Sequence, residues 1–461
     1  MRTAFNFGAT NLIRRIWFDN IQYMKNAVKL RCYPDEATKH FFEKCFNRRR
    51  FGYNFFLNRQ FQKWGGKKPN AVEQEPVTFV EVSKYINDLK IDNEDYVWLD
   101  QEVVPSSVMT NALKDAEQAF DNAFNPDMPD HAMPRHRAKR LRSGTFRVQV
   151  DSRRADTIFN GQQKLCVLPT FGDIGHLIKW PKRPINGIAK NITITMRPSG
   201  QYYVSVSLDK AEFEQPARTY GTVGVDVGIT TTVQLSDGIK FNLPFDKIER
   251  MHERVKKLQR KIAKCKMGSK RCEVLLHRKA KIESAIVKLR NDWLHKIAHA
   301  IVQQYDVICV ESLDIKSMLM QNKRTLSRLI ARASWGHFLS FLEYKCARAG
   351  KQFVKVDQFF PSSQTCSECG AITKHQAVYD THKCHKCNHV MDRDLNAAIN
   401  IAGRGFGSLG RSSSDDLNFN RTREIHESRA KPVRTIDLSD EVPIQKLSPF
   451  MKKAVQDALA L

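Results

Sequence analysis

The sequence contains no run of 18 apolar residues, so it predicts no membrane-spanning helix. The first 25 residues carry three Arg among scattered hydrophobic residues but no continuous apolar stretch, which argues against a secretory signal peptide. We favour a non-essential, disordered leader over 1–26, with a mitochondrial presequence as the alternative. No internal repeat is evident.

A disulfide framework is also missing. The chain has 11 cysteines, but only four of them form a motif. The odd remainder is typical of free thiols in a reducing compartment. These scattered residues are Cys32, Cys45, Cys166, Cys265, Cys272, Cys309 and Cys346.

Acidic residues are scarce relative to basic ones. There are 49 Asp and Glu against 75 Lys and Arg, which gives a formal net charge of +26. An excess this large, spread along the chain, predicts a polyanionic partner. Aromatic residues make up 10% of the chain, too many for a disordered polycation. A length of 461 residues allows about three domains with cores of their own.

Hydrophobic periodicity divides the chain into a helical part, a β part and a mixed part. Residues 27–34 alternate as a strand does and stop at Pro34, and 35–125 show helical spacing. Residues 145–210 hold alternating runs separated by Pro and Gly turns. From Thr222 the predicted order is strand, hairpin, two helices, strand, helix, strand and helix.

The two helices predicted over 247–304 are strongly basic. Residues 247–290 contain 16 Lys or Arg against four Glu, and Gly268-Ser269 separates one helix from the other. A charge run is often only a solvated helix face. The four-to-one imbalance favours a surface that contacts phosphates.

Two CxxC pairs predict one closed metal site. A CxxC turn presents two sulfurs to the same ion, and Zn²⁺ takes four tetrahedral thiolate ligands. Because the protein fills all four positions, we expect a single, structural zinc ion. The ligands are Cys366, Cys369, Cys384 and Cys387.

Three acidic residues stand out from the surface background. Asp226 lies inside the apolar run VGVDVG, Glu311 ends the strand DVICVE, and Asp394 opens a helix of small and apolar residues. If they converge, they repel one another unless cations neutralise them. Two Mg²⁺ ions would do so and would also support phosphodiester hydrolysis. The element order is that of an RNase H-like fold; the alternative is an α/β domain whose acids at strand ends serve solubility.

Longer motifs lie around these residues. The segments GVDVGIT, ICVESL, FFPSSQTCSECG and DRDLNAAINI occur in this order within 224–401, and KLRCYP, RRFGYNFFL and WL precede them. Together, over roughly 27–402, they resemble the TnpB family of transposon-encoded, RNA-guided DNA nucleases, which is related to the compact type V CRISPR effectors.

The resemblance implies an α+β multidomain fold. It would contain an RNase H-like (RuvC-like) α/β nuclease domain with a zinc-ribbon insertion, a β-barrel wedge domain and a helical recognition domain. The expected boundaries are 1–26 for the leader, 27–34 and 126–215 for the wedge, 35–125 for recognition, 221–365 and 388–402 for the nuclease, 366–387 for the ribbon and 403–461 for a disordered tail.

The resemblance also implies roles for individual residues. The catalytic and magnesium-binding triad corresponds to Asp226, Glu311 and Asp394, with Asp392 as an alternative ligand. Positions that would read a short DNA motif beside the target are Phe79, Ser83, Ser106, Ser107 and Thr110.

The function that follows is RNA-guided DNA cleavage in a prokaryotic cytoplasm, close to the nucleoid. The expected partners are a guide RNA derived from the transposon end and double-stranded target DNA. One site would cut both strands and leave a 5′ phosphate and a 3′ hydroxyl. The alternatives are a compact CRISPR effector, a nuclease-inactive RNA-guided repressor and a transposase that joins DNA ends.

Overall fold

The chain forms two compact units in the computed structural model. This structure describes residues 26–63, 77–92, 94–96, 98–101, 104–128, 131–138, 143–182, 184–209, 221–321, 324–373, 380–409 and 435–436. The first unit is built from residues before 213 together with Glu273–Lys281, and the second from the remainder. The predicted leader, except Asn26, lies outside the described residues, as does most of the predicted tail.

Helices dominate the N-terminal half of the first unit. Their apolar positions recur every three or four residues, so each buries one face: Phe56 and Leu57 pack against Ile86, Leu113 and Phe120. This agrees with the helical pattern predicted over 35–125. The helices are α1 (Glu36–Lys63), α2 (Phe79–Asp92), α3 (Trp98–Gln101) and α4 (Ser106–Phe124).

Apart from Glu273–Lys281, most of the rest of the first unit, where the structure describes it, forms two antiparallel sheets. Their long strands alternate, so that Val204 and Val206 enter the core while Tyr203 and Ser205 stay partly exposed. The strands are β1 (Asn26–Cys32), β2 (Gly144–Gln149), β3 (Phe159–Asn160), β4 (Leu165–Leu168), β5 (Gly172–Asp173), β6 (Ile178–Lys179), β7 (Ile188–Met196) and β8 (Tyr202–Asp209), with a short α5 (Ala155–Ile158). Their orders are β2-β7-β8-β1-β6 and β3-β4-β5. The barrel form of the wedge stays a prediction.

A mixed sheet forms the centre of the second unit. Its strands are β9 (Thr222–Asp226), β10 (Val233–Leu235), β11 (Lys240–Phe241), β12 (Val307–Glu311) and β13 (Gln352–Val356); the pair β14 (Thr381–Lys383) and β15 (Val390–Asp392) forms a separate hairpin, and β16 (Thr435–Ile436) joins the sheet edge. The order is β13-β12-β9-β10-β11-β16. Strands β9, β12 and β13 are parallel, whereas β10 is antiparallel to β9.

Helices cover both faces of this sheet. Those on the faces are α6 (Phe245–Ala263), α7 (Lys270–Gln304), α10 (Trp335–Arg348) and α11 (Arg393–Gly407), and two shorter helices, α8 (Ile315–Gln321) and α9 (Arg324–Ala333), follow β12. Val225 and Val310 pack with residues of α7 and α10 on one face, whereas Cys309 and Val356 pack with Ile401 of α11 on the other. None of the helices in the described ranges is long and apolar enough to cross a membrane.

Three details differ from the sequence prediction. Helix α11 continues to Gly407, five residues into the segment predicted as a disordered tail, and Thr435–Ile436 of that segment pair with β11. Helices α8 and α9 were not predicted. The break at Gly268-Ser269 is confirmed: Gly268 has a φ of 83°, and the Ser269 hydroxyl caps α7 by accepting from Cys272 N at 3.2 Å.

Candidate active site

Strand register brings Asp226 and Glu311 side by side. Val225 of β9 pairs with Val310 of β12 in a parallel ladder, so the two acids occupy the next position, at the carboxyl ends of both strands. Side chains alternate along a strand, so Asp226 points to the same face as Gly224, and Glu311 to the same face as Cys309. That face is the one that α11 covers.

Helix α11 is fastened to this face of the sheet at three points. At the start of the helix, Lys240 Nζ of β11 lies 2.8 Å from Asp392 Oδ2. Lys240 and Asp226 both pair with Gln234 of β10, so they lie on either side of it in neighbouring strands. In the middle of the helix, the absence of a side chain at Gly224 lets Ala398 approach, because a Cβ there would lie 1.9 Å from Ala398 O.

The third point lies further along the helix. A Cβ on Gly405 would lie 2.5 Å from Cys309 Sγ of β12. The helix therefore crosses the sheet from β11 over β9 to β12, and it carries Asp394, between its first two anchors, to the end of β9.

The electrostatics at Asp226 include both of the other acids. Burial, followed by the negative charges of Asp394 and Glu311, raises the pKa of Asp226 from 3.8 to about 7. Burial also raises the pKa of Glu311. Within the described residues, the three do not form a cluster with all ligand atoms inside 4.8 Å, as the four cysteines do. A divalent cation between them would relieve the repulsion that Asp394 and Glu311 exert on Asp226.

Asp392 makes different contacts from Asp394. Its Oδ1 accepts from Leu395 N at 3.0 Å as the N-cap of α11, and its Oδ2 binds Lys240. Asp394 instead lies 3.2 Å from Arg393 Nη2 and is 22% exposed. Since both Asp392 oxygens are engaged in holding the helix, the geometry favours Asp394 as the ligand.

The four cysteines converge as predicted. Their sulfurs all lie within 4.8 Å of one another, with Cys366–Cys387 at 3.6 Å and Cys369–Cys384 at 3.5 Å. A tetrahedral zinc with Zn–S bonds of about 2.3 Å would hold sulfurs about 3.8 Å apart, so the set fits zinc. Hydrogen bonds from the backbone N–H groups of Cys387 and Lys386 lower the pKa of Cys384 to about 6, which favours the thiolate.

The two halves of the cysteine cluster are built alike. Each CxxC turn is followed by a left-handed residue, Gly370 (φ 72°) or Asn388 (φ 59°). Each of these residues donates its N–H to the carbonyl of the first cysteine, at 2.9 Å for Cys366 and 3.1 Å for Cys384. Glycine and asparagine tolerate this conformation best, which explains both residue types.

Two asparagines of α11 connect the cysteine cluster to the acids. Asn396, fully buried, accepts from Ser367 N at 2.9 Å and donates to Thr365 O at 2.7 Å. Asn400, one turn later, donates to Ser362 O and Thr365 O. The loop that enters the first CxxC turn is thus bound to the helix that carries Asp394. Sequence reasoning missed both residues, although their four-residue spacing on an apolar helix was a usable signal.

The predicted DNA-reading positions lie on two neighbouring helices. Lys114 Nζ of α4 lies 4.8 Å from the ring centre of Phe79 on α2, and Lys114 follows Thr110 by one helical turn. All five positions are at least partly exposed, and their role stays a prediction. They are Phe79, Ser83, Ser106, Ser107 and Thr110.

Comparison with known proteins gives three matching family profiles. These are described as "Helix-turn-helix domain" over residues 24–68, "Probable transposase" over 201–322 and "Cas12f1-like, TNB domain" over 335–401. A "Putative RNA-guided DNA endonuclease" of Streptomyces pristinaespiralis is 30% identical over 390 residues, which cover 84% of this chain and 91% of the relative. "TnpB-like protein L79" of Acanthamoeba polyphaga mimivirus is 30% identical over 161 residues, 34% of this chain and 29% of the relative.

The chain belongs to the TnpB family. The resemblance inferred from the motifs is thereby confirmed. The profile over 335–401 spans α10, β13, the cysteine cluster and the first half of α11, so the family match includes Asp394. Among solved structures, a complex of Cas12f1 with sgRNA and target DNA is similar at a TM-score of 0.48 and 15% identity, over 80% of this chain and 83% of that one.

Proposed function

We propose that this TnpB-family protein is an RNA-guided DNA endonuclease whose single active site consists of Asp226, Glu311 and Asp394. The observation that carries the proposal is the strand register that places Asp226 beside Glu311 on the face that α11 crosses, where the charges of Glu311 and Asp394 act on Asp226. Perturbed carboxylates that cluster at the end of parallel strands are typical of catalytic metal sites.

The nuclease domain is proposed to have an RNase H-like, RuvC-like fold. The support is the sheet itself: β9 is central, β10 and β11 continue it on one side, and parallel strands β12 and β13 continue it on the other. Asp226 ends β9, Glu311 ends β12, and Asp394 lies on α11, the helix that crosses both strands.

Magnesium fits this donor set, because Mg²⁺ prefers carboxylate oxygens and needs few of them. Asp226, Glu311 and Asp394 would hold it, with one or two ions in the site. When bound, it would supply an activated water and stabilise the leaving 3′ oxygen of a phosphodiester. The fold holds the three carboxylates together despite their repulsion. The three anchors of α11 fix the position of Asp394. One zinc ion in the cysteine cluster would be structural, since all four positions are protein ligands.

Guide RNA and double-stranded target DNA are the proposed partners. The net charge of +26 supports a polyanion. The basic helices α6 and α7 offer phosphate contacts, and specificity would come from pairing between the guide and the target strand. Derivation of the guide from a transposon end, and both-strand cleavage by the one site, belong to this proposal.

The test begins with the RNA that copurifies with the protein. Sequencing should reveal one structured RNA ending in a variable segment, which can be reprogrammed to direct cleavage of a chosen DNA. Asp226→Asn, Glu311→Gln and Asp394→Asn should each abolish cleavage while RNA and DNA binding persist. Asp121→Asn, which neutralises an exposed acid on α4, should cut normally.

The outcomes separate the alternatives. Target binding without cleavage by the unmodified protein would support the RNA-guided repressor. Joining of DNA 3′ ends without any guide would support a transposase. Near-normal cleavage by a triad variant would refute the assignment of the active site.

A further inference from the structure

We infer that Arg393 binds the scissile phosphate of the DNA strand in the active site. This inference rests on the proposed nuclease function. Arg393 immediately precedes Asp394, and its Nη2 lies 3.2 Å from Asp394 Oδ1. Its guanidinium also lies near enough to Asp226 for its positive charge to act on that carboxylate.

Lys240, a second cation at the start of α11, has a purely structural role and serves as a comparison for Arg393. Lys240 is 13% exposed and is held by Asp392, whose other oxygen caps the helix. Arg393 is 39% exposed, and its ion pair within the described residues is to Asp394 alone. Lys240 is therefore built into the helix anchor, whereas Arg393 is more exposed and contacts one of the three acids.

The chemistry of the substrate explains why a cation is needed at this position. A phosphodiester is an anion, and it must approach three carboxylates that already repel one another. Arginine presents a planar fork of donors that matches two phosphate oxygens, and the contact to Asp394 uses only part of that fork. A divalent cation would compete with Arg393 for Asp394. The donors of Arg393 that Asp394 does not use are available for the incoming phosphate.

This reasoning predicts opposite effects on metal binding and on cleavage. Arg393→Gln removes a cation that competes for Asp394, so Mn²⁺ should bind the triad as tightly as before or about two- to five-fold more tightly. Cleavage at saturating metal should nevertheless fall by about 100-fold, as expected for loss of a donor to developing charge. Arg393→Lys, which keeps the charge but not the fork, should retain part of the activity.

Two control variants make the test specific. Lys240→Gln loosens the anchor of α11, so it should weaken both Mn²⁺ binding and cleavage. Arg404→Gln removes one charge from an exposed position on the same helix and should change neither. Mn²⁺ binding is measured by electron paramagnetic resonance on the purified protein–RNA complex, without any cleavage step, and cleavage rates are measured separately.

The results distinguish this inference from the proposed function. If Arg393→Gln weakens Mn²⁺ binding as Lys240→Gln does, Arg393 merely positions Asp394. If it cuts at the normal rate, Arg393 has no role with the phosphate. If Asp226→Asn leaves Mn²⁺ binding unchanged, the triad itself is not a metal site, and the proposed function fails first.

Discussion

Neutralising Asp226 should stabilise the metal-free protein even though it abolishes cleavage. Asp226 lies among Glu311 and Asp394 at the covered end of β9, and its pKa is raised from 3.8 to about 7. Between these values the folded protein binds a proton that the unfolded chain has lost. The stability of the unmodified protein therefore falls as the pH rises from about 4 to about 7.

The magnitude follows from the size of the shift. Three pKa units at about 1.4 kcal/mol each amount to about 4 kcal/mol of unfolding free energy at pH 8. At pH 5 folded Asp226 is protonated, and the remaining penalty is about 1.5 kcal/mol. Asp226→Asn should thus gain about 2–3 kcal/mol more at pH 8 than at pH 5. For a unit of this size that corresponds to roughly 5–10 °C in Tm.

The assay is calorimetry at both pH values in magnesium-free buffer. Chelators are omitted, since they would also remove zinc from the cysteine cluster. The relevant transition is that of the second unit, and Asp121→Asn serves as the control. Added Mg²⁺ should raise the Tm of the unmodified protein at pH 8 but not that of Asp226→Asn, because only the former keeps all three ligands.

One result would refute the reasoning. If Asp226→Asn changed the Tm by the same amount at pH 5 and pH 8, the carboxylate would titrate at its ordinary pKa. Asp226 would then be neither buried as the structure has it nor close enough to Glu311 and Asp394 to feel their charges.

Three further predictions concern the parts around the acids. Cys384→Ser should lower the zinc content and abolish cleavage while RNA binding persists, because the cysteine cluster holds α11 through Asn396. Metal analysis, a cleavage assay and a gel-shift assay measure the three effects in turn, and cleavage without zinc would contradict this link. Gly405→Ala should lower the free energy of unfolding in urea by about 1–3 kcal/mol, because the new methyl group clashes with Cys309. Gly407→Ala has open space around it and should change this free energy by less than about 1 kcal/mol. Equal effects would refute the packing argument. RNA affinity should fall linearly with the logarithm of salt concentration, and a flat response would exclude a phosphate-dominated interface.

The candidate site residues could be selected from the sequence because each interrupts a local pattern. Asp226 and Glu311 are charges inside or at the end of apolar runs, and the cysteine spacing permits one metal site. Such signals need only a few neighbouring residues. The strands over 307–311 and 352–356 were predictable for the same reason, since short apolar runs bounded by polar turns are typical of buried parallel strands.

What depends on contacts distant in sequence could not be predicted. In the sequence, Gly224 is simply a small residue in a strand. Its importance depends on α11, which packs directly against it. Arg48 and Arg49 add to a basic helix in the sequence, yet Arg48 is buried and donates to Leu99 O, and Arg49 binds Asp115 at 2.9 Å. Both stabilise the fold of the first unit. The net charge therefore overstates the positively charged surface available to nucleic acid, because it counts buried and paired arginines.

The position of α11 along the chain has a consequence for biosynthesis. Strands β9 to β13 and the helices on their far face all emerge from the ribosome before it. A nascent chain can therefore assemble most of the sheet and expose its basic helices while the third carboxylate is still untranslated. With the active site proposed above, the ability to cut would be acquired only when the late helix docks, so prematurely terminated products are expected to hold nucleic acid without damaging it.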